Sequence, residues 1–192
     1  MEPLNFSQIY DLFVHFQKTF QQSQLKKIIL PVPKSPAQDL LGLVFSNRAF
    51  TGNKTLWIWL RAGAPLAWTG TPSFHSKTEH TTDLKLTLLL KNNCLKIPIT
   101  QIHSIPNNQI GVFKFGEIAA LIFSFIPNNP VLALSLQEKG IVAEWPNRLP
   151  KNFELPEALP QPSSKNPSSF QPGLFSIHCQ DEFLNFSNTF SS

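Results

Sequence analysis

Seven of the chain's 17 prolines lie in its last 47 residues, at positions 146, 150, 156, 160, 162, 167 and 172. Proline fixes φ and has no N–H to donate, so a run this dense holds neither a helix nor a sheet ladder. Regular structure is therefore confined to 1–145, with the break at Trp145-Pro146. Residues 146–192, which also carry Ser163-Ser164 and Ser168-Ser169, are expected to form a Pro/Ser-rich tail that is disordered in isolation.

The front part has enough apolar material to fold. The 192 residues are 42% hydrophobic and include 17 Phe and 4 Trp, and each buried aromatic ring removes about 150–250 Å² from water. Only 15% are charged, against roughly 25% in an average soluble domain, so the surface must be polar mainly through Asn, Gln, Ser and Thr. The net charge is +4, and nowhere do more than two basic residues adjoin, as at Lys26-Lys27. Nucleic-acid binding by counterion release needs several cations on one face, so no nucleic-acid partner is expected.

A secretory signal needs a basic start and an apolar stretch, and Met1-Glu2-Pro3-Leu4-Asn5 offers neither. Cys94 and Cys179 read as free thiols of a reducing compartment, which together with that start predicts a cytoplasmic protein. The most apolar region, 118–136, is interrupted by Pro127-Asn128-Asn129-Pro130. A membrane-spanning helix tolerates no such break facing lipid, so no membrane partner is expected.

Phe6, Ile9, Tyr10, Phe13, Phe16 and Phe20 recur at helical spacing behind Asn5 and Gln8, a capping-box pair. They predict an amphipathic helix over 6–24. Pro31, Pro33 and Pro36 then form an extended link. Leu40–Phe45 and Thr55–Leu60 read as a hairpin around a Gly52-Asn53 turn. Residues 61–82 read as a loop. Alternating Leu84, Leu86 and Leu88 predict a strand over 83–90 that turns at Asn92-Asn93 into Leu95–Ile97 and ends at Pro98. Residues 110–115 and 118–126 continue the series. Leu132, Leu134 and Leu136 alternate too, favouring a strand over a short helix and closing a three-strand meander at Trp145. The expected fold is α+β: a mostly antiparallel sheet of five to seven strands, covered on one face by the helix.

Chemistry-bearing motifs are sparse. His75, Glu79 and His80 offer imidazoles and a carboxylate, but the spacing fits neither H-E-x-x-H nor H-x-x-E-H, and a solvated loop is the expected reading. Neither cysteine has a nucleophile signature around it. Gly52-Asn53-Lys54-Thr55 lacks the glycines of a phosphate loop. Asp11, Asp39, Glu79, Asp83 and Glu117 are scattered singly. No catalytic residue, metal or cofactor is therefore expected.

Two features remain for binding. Trp57 and Trp59 share one face of their strand, opposite Leu56, Ile58 and Leu60, and with Trp68 they either fill a core or form a ligand wall or interface. Phe183, Phe186 and Phe190, behind Asp181-Glu182, have helix-like spacing at the end of a Pro-rich tether. They read either as a docking peptide or as a frayed end.

The N-terminal helix, Leu56-Trp57-Ile58-Trp59-Leu60 and the hairpin Leu121–Leu136 resemble the N-terminal sensory regions of bacterial, especially cyanobacterial, sensor kinases and related signalling proteins. The likeness covers residues 4–145. It implies a stand-alone relative of a sensing or protein-binding module, and it transfers no output activity and no functional residue. The expected function is a non-enzymatic regulatory or adaptor module with a protein partner. A sensor for a small apolar ligand held by the tryptophans comes second, and an unrecognised enzyme third.

Overall fold

The computed structural model describes residues 3–29, 39–47, 52–70, 85–105, 108–151 and 153–155. Its first element is the predicted helix, α1 (Phe6–Phe20). The capping box is closed in both directions: Gln8 N–H donates to the Asn5 side chain and Asn5 N–H to the Gln8 side chain, both at 2.9 Å. Ile9, Leu12, Phe13, Phe16 and Phe20 are buried, one apolar stripe at helical period. The helix stops four residues before the expected 24. Gln22 has φ 63°, and its N–H leaves the helix to donate to Ile99 O at 2.9 Å.

Two antiparallel sheets follow, where one of five to seven strands was expected. The first consists of β1 (Gln24–Ile29), β2 (Leu40–Ser46), β3 (Asn53–Trp59) and β4 (Leu66–Gly70), in that order. The second consists of β5 (Ile99–Ser104), β6 (Ile110–Phe115), β7 (Ala119–Ser124), β8 (Val131–Leu136) and β9 (Gly140–Pro146), also in sequence order. Between them lies α2 (Lys85–Cys94). The β2–β3 hairpin and the β7–β8–β9 meander stand where the sequence places them.

Three expectations are corrected, and a strand appears in a segment that the sequence left unassigned. The strand over 83–90 is instead α2: Leu86, Leu90 and Cys94 are buried while Leu88 is 57% exposed. That four-residue spacing outweighs the Leu86–Leu88 alternation. The second strand expected at 95–97 is reduced to a bridge between Leu95 and Leu25, and the ladder begins only after Pro98, as β5. The segment at 24–29 is a strand, hidden by a register shift between Leu25 and Lys27 that places Leu25 opposite Phe45 and Ile28 opposite Leu43. With one extra residue bulged out, apolar positions three apart share a face and period two disappears. The loop expected over 61–82 contains β4, whose Trp68 lies directly opposite Trp57.

The main core lies where α1 meets both sheets. Phe13 makes edge contacts with Phe16, Phe113, Phe123 and Phe125 at ring-centroid distances of 5.5–6.2 Å. Phe20 touches Phe45 of β2 at 5.0 Å, and Phe45 touches Phe113 of β6 at 6.4 Å, so the rings run continuously from sheet to sheet. Phe13 fits because Gly111 on β6 lies beneath it, and a Cβ built there would fall inside the Phe13 ring. Gly42 does the same for Trp57, whose Cζ3 lies 2.7 Å from where such a Cβ would be.

The outer face of the second sheet carries a smaller cluster: Ile105, Ile110, Val112, Ala120, Ile122, Val131, Ala133 and Leu149, with Phe153 and Leu155 packed on it. The packed chain therefore runs on past Trp145. Leu149 is 7% exposed, its N–H donates to the Glu144 carboxylate at 2.6 Å, and Asn147 and Asn129 side chains tie the segment to Pro130 O and Arg148 O. Residues 147–151 and 153–155 form a strap over this face, and 156–192 lie outside the described residues.

Two stability outcomes follow. Gly111→Ala is expected to cost about 3 kcal/mol by overpacking and Phe13→Ala about 3–5 kcal/mol by cavity formation. The double variant should fall short of their sum by about 1 kcal/mol or more. Urea unfolding of the four proteins measures this, and strict additivity would mean that ring and glycine do not share one space. A chain ending at 155 should be more stable than one ending at 145 by about 2 kcal/mol, since Leu149 alone contributes about that by burial. Equal thermal midpoints would contradict the strap's role.

Candidate functional site

The register of the second sheet sets side chains in rows across its outer face. One row reads Lys114, Ala120, Ser135, Ile141, each directly opposite the next. The neighbouring row reads His103, Val112, Ile122, Ala133, Glu144. In the first row the two central strands contribute only a methyl and a hydroxymethyl, so the surface sinks between the long flanking side chains of Lys114 and Ile141.

A cleft of about 470 Å³ opens there. Its wall is made by the β6–β7 turn through Gly116, Glu117 and Ile118, and by the β8–β9 turn through Gln137 and Gly140. Leu155, the last described residue of the strap, also lines it. The turns need their glycines: Gly116 has φ 55° and Gly140 φ 64°, a region that side-chain-bearing residues seldom adopt. Ile118 is 52% exposed and Ile141 38% exposed, so two β-branched apolar side chains face water at the edge of a floor of small side chains. Lys114 and Glu117 contribute one charge of each sign.

Further along the same face, His103 is half-buried and its Nε2 has no hydrogen-bond partner. Burial, with Lys114 adding to it, pushes its pKa down to about 4, so the imidazole is neutral at physiological pH. His15 on α1 is also held below the ordinary histidine value, first by burial and then by Lys54 and Lys18. Burial raises Asp39 and pushes the Cys94 thiol up to about 12, which makes Cys94 a packing residue without thiolate character. No group of three or more His, Cys, Asp or Glu able to hold a metal occurs among the described residues. No described helix is long and apolar enough to cross a membrane.

The residues singled out by sequence fall away from this cleft. Trp57 and Trp68 stack with ring centroids 6.5 Å apart and 25° between planes. Trp59 lies under the Arg61 guanidinium at 5.6 Å, and all three indoles are at most 5% exposed. Trp57 and Trp59 do share a face of β3, which brings Trp57 onto Gly42 and Trp59 opposite Leu40 and Leu66. Phe183, Phe186, Phe190, Cys179, His75, Glu79 and His80 lie outside the described residues. Ile118, Ile141, Ala120 and Ser135 were missed. The only sequence signal for them was a pair of turns, around Gly116-Glu117 and Glu138-Lys139-Gly140, with an isoleucine next to each.

Neither the scan against family models nor the search of curated proteins finds a match. Among solved structures the fold has neighbours. The fibrinogen binding protein from Staphylococcus aureus matches with a TM-score of 0.54 and 14% identity, over 78% of this chain and 57% of that one. The N-terminal domain of the fibronectin-binding protein PavA from Streptococcus pneumoniae matches with a TM-score of 0.55 and 19% identity, over 89% of this chain and 69% of that one. This chain thus spans little more than half of the first. At these identities the likeness establishes a shared fold, and neither neighbour is a sensor kinase.

The state of His103 has a measurable consequence. Its folded pKa lies below that of the unfolded chain, so below about pH 6.5 the unfolded state binds the extra proton and stability falls with pH until about pH 4. His103→Gln removes that contribution. The stability difference between parent and variant should shift in the variant's favour as pH drops from 6.5 to 4.5, as measured by urea unfolding. Imidazole NMR signals of His103 should remain those of the neutral form at pH 5.5, and a midpoint near 6.5 would contradict the burial described.

Proposed function

We propose that the chain is a non-enzymatic regulatory or adaptor module that binds a protein partner at the cleft between the β6–β7 and β8–β9 turns. The observation that carries this reading is exposed Ile118 in the cleft lining, with the small-residue floor at Ala120 and Ser135 and with exposed Ile141 directly opposite Ser135 in the sheet. Exposed β-branched side chains beside a shallow depression floored by small side chains are what a partner's apolar anchor packs against. Each of the two fold neighbours is described as binding a protein, which supports a protein partner in kind and leaves its identity open. The tryptophans serve packing in this reading, with Trp57 filling the space above Gly42.

A photo-crosslinking residue placed at 118 in the full chain, exposed to native lysate, should give one discrete protein adduct. The same residue at 141 should give that adduct, and at 88 on α2 it should not. Ile118→Glu should weaken capture by at least about tenfold, the effect of losing roughly 1.4 kcal/mol at a central contact. Equal labelling from positions 118 and 88, or no adduct at all, would overturn the reading.

A further inference from the structure

We infer that the cleft has an occupant within the same chain, the segment Asp181–Phe190, which fills it when no partner does. This rests on the protein-binding reading of the cleft and adds its regulation. The placement begins with where the chain leads. The strap brings Leu155 into the cleft lining, so residues 156–192 set out from the site itself.

Only 25 residues separate Leu155 from Asp181. A coil of that length has a root-mean-square reach of about 28 Å, more than the few ångströms a return to its starting point needs. Tethering at such a distance gives an effective concentration of the order of millimolar, so weak side-chain contacts suffice to populate the docked state.

The chemistry matches as well. Between 156 and 192 the acidic residues are Glu157, Asp181 and Glu182 and the only basic one is Lys165. The described body carries 12 Lys and Arg against 6 Asp and Glu, while at the cleft itself Lys114 is balanced by Glu117 and Lys139 by Glu138, so the local match is apolar. Phe183, Phe186 and Phe190 follow the acidic pair at intervals of three and four, which on a helical turn puts all three on one face. A docked segment would set that face against Ile118, Ala120 and Leu136, which line the cleft. An apolar helix face laid in a groove is a common mode of peptide recognition. Filled this way, the cleft would open to an external partner only when that partner outcompetes the tether, which gives the module a built-in threshold.

Cys179, four residues before Phe183, is a natural reporter, because the Cys94 thiol is buried and poorly ionised. In the full chain, Gln137→Cys places a thiol on the cleft rim, and Lys54→Cys places one on β3 of the other sheet as the reference. Under mild oxidation the disulfide between position 137 and Cys179 should form within single molecules, at a rate independent of protein concentration and about tenfold above the reference. Replacing Phe183, Phe186 and Phe190 together with serine should bring that rate to the reference level. The same triple replacement should raise adduct yield at position 118 in lysate.

Equal rates at 137 and 54, or a rate indifferent to the phenylalanines, would overturn the proposal, as would crosslinking between molecules that grows with concentration. If the disulfide fails to form preferentially while position 118 still captures a protein, the cleft binds partners without an internal competitor. If the disulfide forms as expected and position 118 captures nothing, the protein-binding reading fails and internal docking alone remains.

Discussion

The ring of Phe13 seated on Gly111 anchors α1 to the second sheet. Two sequential meanders have no ladder in common; isolated bridges join Gln24 to Pro98 and Leu25 to Leu95, and through their shared core runs a line of aromatic contacts: Phe13, Phe16 and Phe20 on one helix stripe, Phe113 and Phe123 on the second sheet, and Phe45 on the first. At about 1.5–3 kcal/mol per buried ring, this junction outweighs the side-chain hydrogen bonds near it, such as Gln21 Nε2–H donating to Thr100 O at 2.9 Å. The glycine permits the depth of that insertion. With any side chain at 111, α1 would ride higher on the sheet and the Phe20–Phe45 contact would be pulled apart.

The sequence spoke clearly where one element obeyed one period. α1 has its stripe and both halves of its cap, and β2 with β3 has a long apolar run on each side of a turn. It misled where two periods overlapped or one was interrupted. Leu86-Thr87-Leu88-Leu89-Leu90 satisfies a strand and a helix equally until Cys94 is found buried one turn beyond Leu90. Lys26 bulges out of β1 and erases the alternation around it. β4 is five residues long, too short for periodicity to register, and it is held by pairing with β3. None of these depends on composition, so counting residues would not have revealed them.

The cleft was less legible than the fold because its residues are unremarkable in sequence. Ala120 and Ser135 lie 15 positions apart and meet only through the β7–β8 register. The depression they leave exists only because Lys114 and Ile141 flank them in the same row. The tryptophans drew attention for the opposite reason, being rare and large, and those qualities equally suit them to packing over Gly42. A surface is defined by what is small as much as by what is conspicuous, and smallness carries no signal until neighbours are known.

Both sheets are assembled from consecutive strands, whereas α1 packs on residues that follow it by about a hundred positions. During synthesis at about 5–20 residues per second, the stripe Ile9, Leu12, Phe13, Phe16 and Phe20 leaves the ribosome some 5–20 s before Gly111 and Phe113 exist to receive it. For that interval the most aromatic face of the protein is without its seat. The helix at the heart of the finished core is thus made first, and much of its seat on the second sheet is made about a hundred residues later.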